Sequence, residues 1–382
     1  MYLFCADIHL GGSVTKHKPE FANDYKLSVD ALLKQVKEQS VKHLFLAGDI
    51  NDKNKVSEKV VRVWDQFCRA CSETGCQIYI IPGDHETDAS WDGQSGGVTE
   101  AIYPGVINMS HKTYDIDGCI ISGIPNIRNH SQTRELLHNH GPCDVLLMHT
   151  AFQHLLGYEG AWSVSIDDVP SHVKSVVVGD IHKADRTALP NGGYVFSPGA
   201  LHAQEIPQLG EHGGWLSADP TDPESFTWLP IFEQPVEEHY IFSDFEVEQF
   251  LEKLEGEKDK SREEKHAPVT WIVKHSPEFS KLVHKAEKDL PQNASVRMLL
   301  KAVNALHLQT ENLENLLEGQ DLDSFRSDIL SYENLSKMLD GLLEQLALEL
   351  QVKEGVIELL GPLLTVDVET ARELVTKWKN KR

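Results

Sequence analysis

Short apolar, β-rich runs recur along the first half of the chain, and each ends in a small knot of polar residues. Tyr2 to Ala6 runs into Asp7-Ile8-His9, His43 to Ala47 into Gly48-Asp49, and Gln77 to Pro82 into Gly83-Asp84-His85-Glu86. Asp144 to Met148 is followed by His149, and Ser175 to Val178 by Gly179-Asp180-Ile181-His182. Between the first three runs, apolar residues fall at spacings of three and four, as in Val60, Val63, Trp64, Phe67 and Cys71. That spacing predicts helices over Asp24 to Gln39 and Ser57 to Glu73. A β-α-β-α-β order predicts parallel strands covered by helices, and ligands in such folds bind beyond the carboxyl ends of the strands. The five knots should therefore converge.

The pattern changes further along. Val236 to Phe242, Val269 to Lys274 and Ser295 to Lys301 read as strands, and Val247 to Leu254 and Ser276 to Asp289 as helices, so a small α/β module is expected. Inside it, Gly256 to His266 is a charged, solvated loop. Leu335, Met338, Leu339, Leu342, Leu346 and Leu350 then lie on one helical stripe. Val356, Ile357, Leu359 and Leu360 follow, before Gly361-Pro362 ends the pattern. Such a stripe serves either as internal core or as a partner surface. Its position after the Asp/Ser/Glu-rich stretch Glu311 to Ser327 favours a partner. The expected division is 1–231, 232–304 and 305–382.

The chain has 382 residues, with 36 Lys+Arg against 59 Asp+Glu and a net charge of −23. With 40% hydrophobic residues the composition is that of a folded globular protein. No stretch reaches the roughly 18 apolar residues of a membrane span, and a strand-like run begins at Tyr2, so a cytoplasmic protein without a signal peptide is expected. Cys5, Cys119 and Cys143 sit in or beside apolar runs, where a reduced buried thiol is the default. Cys68, Cys71 and Cys76 have metal-like spacing but no fourth ligand nearby, and the first two fall in a helical pattern that favours core packing. The acidic balance argues against a broad basic face for nucleic acid. It leaves room for a nucleic-acid enzyme whose positive charge comes from bound cations or from a basic partner.

The knots offer Asp7, His9, Asp49, Asp84, His85, His149, Asp180 and His182, a carboxylate and imidazole set suited to two first-row divalent ions. One such residue at a strand end is usually a turn former. Five knots in this order are not an accident of loop composition, and burying so many carboxylates without cations would be costly through mutual repulsion.

The pattern D-x-H, GD, G-D-H-E, H, G-D-x-H resembles that of the calcineurin-like metallophosphoesterases over about the first 200 residues. The resemblance implies a two-sheet metallophosphoesterase sandwich flanked by helices. It also implies that Asp7, His9 and His182 ligate one metal, that Asp84, His149 and Asp180 ligate the other, and that Asp49 bridges them. His85 matches the family's non-ligand histidine, which protonates the leaving oxygen or steadies the transition state. Glu86 and Asp52 are candidates to support these groups from behind, Asp52 either by orienting His85 or as a solvated turn acid near Lys53 and Lys55.

Within that family, Asp7-Ile8-His9-Leu10-Gly11, Gly48-Asp49-Ile50 and Ser197-Pro198-Gly199 look like the SbcD-type DNA nucleases, including the recombination endonuclease subunits of phages. That likeness implies DNA as substrate, a small α/β capping domain that reads duplex shape, and C-terminal helices that bind an SbcC-type coiled-coil ATPase. It further implies a homodimer of nuclease domains, with the segment between the second and third strands as the place to look. Three positions depart from the pattern: Asp84 stands where Asn is usual, Asp180 where His is usual, and Asp52 where a His often follows. A carboxylate-rich site should favour Mn²⁺ first, or Mg²⁺, over Zn²⁺.

A phosphomonoesterase or protein phosphatase would use the same metal core, but no G-D-x-V-D-R-G stretch occurs at Asp49. A scaffold without activity is disfavoured by the intact ligand set. Outside the motifs, His202 follows the last one closely, and Arg128 and Arg134 are candidate phosphate contacts or ordinary surface pairs.

Overall fold

The computed structural model describes residues 1–15, 18–53, 56–86, 105–127, 129–156, 164–258, 267–290 and 294–303. The charged loop beyond residue 258, Arg128 and the whole C-terminal helical stripe lie outside the described residues. Among the described residues no helix is long and apolar enough to cross a membrane.

In chain order the strands are β1 (Tyr2–Cys5), β2 (His43–Ala47), β3 (Gln77–Ile81), β4 (Val106–Asn108), β5 (Thr113–Ile116), β6 (Cys119–Ile124), β7 (Cys143–His149) and β8 (Val173–Gly179). They continue with β9 (Asp185–Ala188), β10 (Tyr194–Ser197), β11 (Glu211–Ser217), β12 (Thr227–Glu233), β13 (Val236–Ile241), β14 (Val269–His275) and β15 (Val296–Ala302). The helices are α1 (Asp24–Glu38), α2 (Glu58–Glu73), α3 (His130–His138), α4 (Gln153–Leu156), α5 (Asp244–Lys258) and α6 (Ser280–Lys288).

Two mixed sheets of six strands run in the orders β12-β11-β1-β2-β3-β4 and β5-β6-β7-β8-β10-β9, and β13-β14-β15 form a third. β1, β2, β3 and β4 are parallel neighbours, as are β6, β7, β8 and β10. Both knot-bearing sets of strands therefore deliver their carboxyl ends in order along a sheet.

Residue alternation explains the layering. On β1, Tyr2 and Phe4 point into a core shared by the two six-stranded sheets, with Phe45 and Tyr79 from the first sheet and Val145, Leu147, Val177 and Phe196 from the second. Phe4, Phe45 and Tyr79 stack in series, with centroids 4.8 and 4.7 Å apart. Leu3, Cys5, Leu44, Leu46, Ile78 and Ile80 face the other way, onto Val29 and Leu32 of α1 and Trp64 and Phe67 of α2. With both faces buried, these strands read as continuous apolar runs, not as alternating ones. Cys68 and Cys71 lie buried in the same layer. The Ser57 side chain caps α2 by accepting from the Val60 amide. A third core closes the outer face of the second sheet around Leu146, Met148, Val176 and Val178.

By compactness the chain forms two units. One comprises Met1–His239, Phe250–Ile272 and Ala286–Leu299, and the other Tyr240–Gln249, Val273–Lys285 and the segment from Leu300 onward. Within the first unit, Arg297 of β15 is 3% exposed, and its Nη1 donates to Asp24 Oδ1 at 2.8 Å. Its Nε donates to Thr270 Oγ1 at 2.9 Å, and its guanidinium sits 3.7 Å from the centre of the Phe21 ring. Gln234 spans from the Asp24 carboxylate, to which it donates at 2.7 Å, to the Ala203 amide, from which it accepts at 2.6 Å. A desolvated ion pair of this kind holds geometry, and removing one partner strands a buried charge. Arg297→Ala should cost about 3–5 kcal/mol in urea unfolding; a loss under about 1 kcal/mol would show that the pair is dispensable.

Candidate metal centre

The knots do converge. Four groups of side chains place their ligand atoms within 4.8 Å of one another: Asp7, His9 and His182; Asp7, Asp49 and His149; Asp84, His149 and Asp180; and His9, Asp49 and His85. Asp49 lies between the two sets, with its Oδ2 3.7 Å from His9 Nε2 and its Oδ1 3.4 Å from His149 Nε2. Two of the groups, Asp7, His9 and His182 and Asp84, His149 and Asp180, coincide with the sets that the resemblance implies, while the other two run across them through Asp49; the set around His149 gathers both unusual carboxylates.

Tight backbone turns achieve this approach. Asp7, His9, Asp49 and Asp180 all adopt positive φ, at 51°, 44°, 50° and 79°, a conformation that side-chain-bearing residues hold only where the surroundings enforce it. Gly48 at φ 90° leaves no room for a methyl group: a Cβ there would lie 2.2 Å from His149 Nδ1. At Gly83 a Cβ would lie 2.1 Å from Asp49 Oδ1. The glycines before Asp49 and Asp84 are therefore what lets the ligand side chains close upon one another.

Backbone groups fix each ligand. The Asp180 amide donates to Asp7 Oδ1 and the His85 amide to Asp49 Oδ1, both at 3.0 Å. His149 Nδ1 donates to the Ala47 carbonyl at 2.8 Å, which leaves Nε2 as the nitrogen facing Asp84 and Asp49. His85 Nδ1 donates likewise to the Asp52 carbonyl at 2.6 Å. The group at residue 52 that bonds His85 is thus the main-chain carbonyl, where the sequence left the side chain open between an orienting role and a solvated turn acid. Glu86 is 2% exposed, and its carboxylate accepts from the Asn51 amide at 2.7 Å and the Gly83 amide at 2.8 Å. It ties together the turns on either side of Asp49.

Sequence reasoning missed the segment Ser197 to Leu201 as a splint. Ser197 Oγ donates to the carbonyls of Ile181 and Lys183 at 2.9 Å, the Ala200 amide to His182 O, and the Leu201 amide to Asp7 O. His202 is fully buried beside Gln204 and is not on the cleft. Arg134 pairs with Asp168, the surface role weighed against a phosphate contact. The cleft over the ligands holds about 470 Å³ and is lined by Asp49, Asp84, His85, Asp180 and His182, with Leu155, Ile181, Lys183 and Gln208 completing it.

The electrostatics fit cations. Burial, reinforced by Asp49, pushes Asp7 well above the carboxylate range, and burial does the same to Asp49 more weakly. Burial and the neighbouring carboxylates hold Asp180 at about 6, and Glu86 at about 7. Burial disfavours the charged form of His149, but Asp49, Asp84, Asp7 and Asp180 outweigh it and raise the imidazole well above its usual value. Burial and the other imidazoles hold His9 well below its usual value, and His182 is lowered by burial first. His9 Nε2 and His182 Nε2 face each other at 3.0 Å, and buried Asp7 Oδ2 has no hydrogen-bond partner among the described residues. Two imidazole nitrogens and an orphaned carboxylate oxygen aimed at one point suit a divalent ion.

Protons and metal compete for these groups. In the metal-free protein, raised carboxylates favour the folded state below their ordinary range, and that advantage is lost as pH rises through the folded value of about 6 for Asp180. Divalent ions should therefore raise the melting temperature more at pH 8 than at pH 5.5. Binding near pH 7 should also release protons, including that of His149, seen as a dependence of calorimetric heat on buffer ionisation enthalpy. Buffer-independent heats would contradict the assignment.

Residues 2–184 match the family described as calcineurin-like phosphoesterase. Over 227 residues the chain is 26% identical to the DNA double-strand break repair protein Mre11 of Sulfurisphaera tokodaii, a match covering 53% of this chain and 55% of that protein. Over 217 residues it is 22% identical to the protein of the same name from Saccharolobus solfataricus, covering 53% and 56%. The matches thus span about half the length of those relatives. A solved structure, TT1561 of Thermus thermophilus, aligns at 15% identity over 60% of this chain and 98% of its own, with a TM-score of 0.39. Coming on a segment that carries Asp7, His9, Asp49, Asp84, His149, Asp180 and His182 in one cluster, the family match identifies residues 2–184 as a calcineurin-like phosphoesterase domain.

Proposed function

We propose that the chain is a two-metal-dependent DNA phosphodiesterase, the nuclease subunit of an SbcCD-like recombination and repair complex. The observation that carries the reading is the convergence of two ligand sets on Asp49 at the floor of an open cleft. The DNA part is supported by the likeness to two proteins named for DNA double-strand break repair. Asp7, His9 and His182 would hold one divalent ion, Asp84, His149 and Asp180 the other, with Asp49 shared. Ions held there supply Lewis-acid activation of water and neutralise charge on the phosphoryl oxygens.

The protein's own groups do the rest. His85, half-buried at the cleft, has its Nδ1 committed to the Asp52 carbonyl, so Nε2 is the nitrogen free to handle a proton. Burial works against its charged form, yet Asp49, the Asp52 carbonyl and Asp84 raise its proton affinity above the usual histidine value. A histidine with raised proton affinity beside the cleft suits donation to a departing oxygen. The carboxylate-rich set favours Mn²⁺, with Mg²⁺ second. The 305–382 region is proposed to bind a coiled-coil ATPase whose basic surface offsets the −23 charge, and the nuclease domains to pair as a homodimer.

End-labelled duplex and single-stranded DNA should be degraded by the full chain in Mn²⁺, more slowly in Mg²⁺ and least in Zn²⁺. Asp49→Ala should abolish cleavage, and His85→Ala should lower kcat by roughly 10²–10⁴-fold while metal still binds. Brisk hydrolysis of a small aryl monoester with DNA left intact would replace the nuclease reading with a phosphatase.

A further inference from the structure

Among the described residues that line the metal cleft there is one lysine or arginine, Lys183, in a lining otherwise made of Asp49, Asp84, Asp180, two histidines and neutral residues. Among the described residues no carboxylate lies within ion-pair distance of its ammonium. Lys174 and Arg134, by contrast, are paired with carboxylates, Lys174 with Asp144 at 2.6 Å and Arg134 with Asp168 at 3.6 Å. Lys183 itself is exposed, and it directly follows the ligand His182.

The main chain at Lys183 is held firmly. Its carbonyl accepts from Ser197 Oγ at 2.9 Å, and the preceding carbonyl accepts from the Ala200 amide at 3.1 Å. Gly199 packs so closely over this turn that a Cβ there would lie 2.8 Å from the Ala184 amide nitrogen and 3.2 Å from the Lys183 carbonyl carbon. The lysine therefore projects from a fixed point at the rim, one residue from the metal centre.

Charge balance gives that position a purpose. Asp7, Asp49, Asp84 and Asp180 carry four negative charges when ionised, which two divalent ions cancel without surplus. A neutral centre in a chain of net charge −23 has little long-range pull on a polyanion. We propose that Lys183 is a phosphate anchor, binding a backbone phosphate next to the one being cleaved and so selecting a polynucleotide over a small phosphodiester. This rests on the nuclease reading above.

The test compares the full wild-type chain with Lys183→Ala and Lys183→Arg on a single-stranded oligonucleotide and on bis(p-nitrophenyl) phosphate, in Mn²⁺. Lys183→Ala should raise KM for the oligonucleotide roughly tenfold at low salt, with kcat nearly unchanged. In a His85→Ala background, oligonucleotide binding by anisotropy should show a log–log salt slope shallower by about 0.7, the value for one lost phosphate contact on a single strand. Lys183→Arg should restore both, and hydrolysis of the small diester should stay within about twofold throughout. An unchanged slope and KM would overturn the anchor. An equal loss on both substrates would also overturn it, placing Lys183 in support of the metal centre. A wild-type chain that cleaves the small diester but neither binds nor cuts DNA would overturn the nuclease reading itself, an outcome visible before any variant is made.

Discussion

Four carboxylates drawn together, Asp7 and Asp49 buried and Asp84 and Asp180 at the cleft, are the constraint around which this chain is built. Asp7 is fully buried and Asp49 nearly so, and each feels the other's charge as well as that of Asp84 or Asp180. In the absence of cations this load raises the proton affinity of Asp7, Asp49, Asp180 and His149, while the neighbouring His149 and His85 hold Asp84 below the usual carboxylate range. Nothing in core packing calls for such an arrangement. Hydrophobic replacements would be cheaper at the buried positions Asp7 and Asp49, and the left-handed backbone at Asp7, His9, Asp49 and Asp180 adds strain. A fold that sustains both costs at one place is organised around the cations that relieve the first.

The rest of the architecture acts to keep the ligands pointing inward. Parallel strands of two sheets bring their carboxyl ends together, and the aromatic stack between the sheets sets the spacing. The carbonyls of Ala47 and Asp52 each take the Nδ1 proton of a histidine and thereby decide which nitrogen faces the cleft. Ser197 to Leu201 clasps the turns carrying Asp7 and His182 through the Ser197 hydroxyl and the Ala200 and Leu201 amides, so side-chain identity matters at Ser197 and Gly199 and main-chain shape at the rest. Glu86 performs the same service for the turns around Asp49.

Much of this was legible in the sequence because strand ends and helix periodicity are local signals. The five knots, both helices between the first three strands, and β13, β14 and β15 fall within a few residues of where the pattern puts them. The helix expected over Ser276 to Asp289 begins later, since Pro277 to Phe279 forms a 3-10 turn before α6. β5 and β6 were missed although Asp117-Gly118, both at positive φ, is a turn sequence that signals a hairpin. β11 was obscured by Gly213-Gly214, where close neighbours exclude side chains and the usual alternation is lost. The departures Asp84 and Asp180 were visible as residues, but their meeting at His149 is visible only in the fold. Asp52 shows the reverse: what matters there is a carbonyl, which every residue has and no sequence pattern can reveal.

The central claim is that these carboxylates and imidazoles form a two-ion site. Equilibrium dialysis of the metal-stripped full chain against Mn²⁺ at neutral pH, with bound metal counted by mass spectrometry, tests it most directly. Two ions per chain are expected for the wild type, falling to one when Asp84 and Asp180 are both replaced by Ala. Saturation at one ion in the wild type, or two ions retained without those carboxylates, would contradict the account.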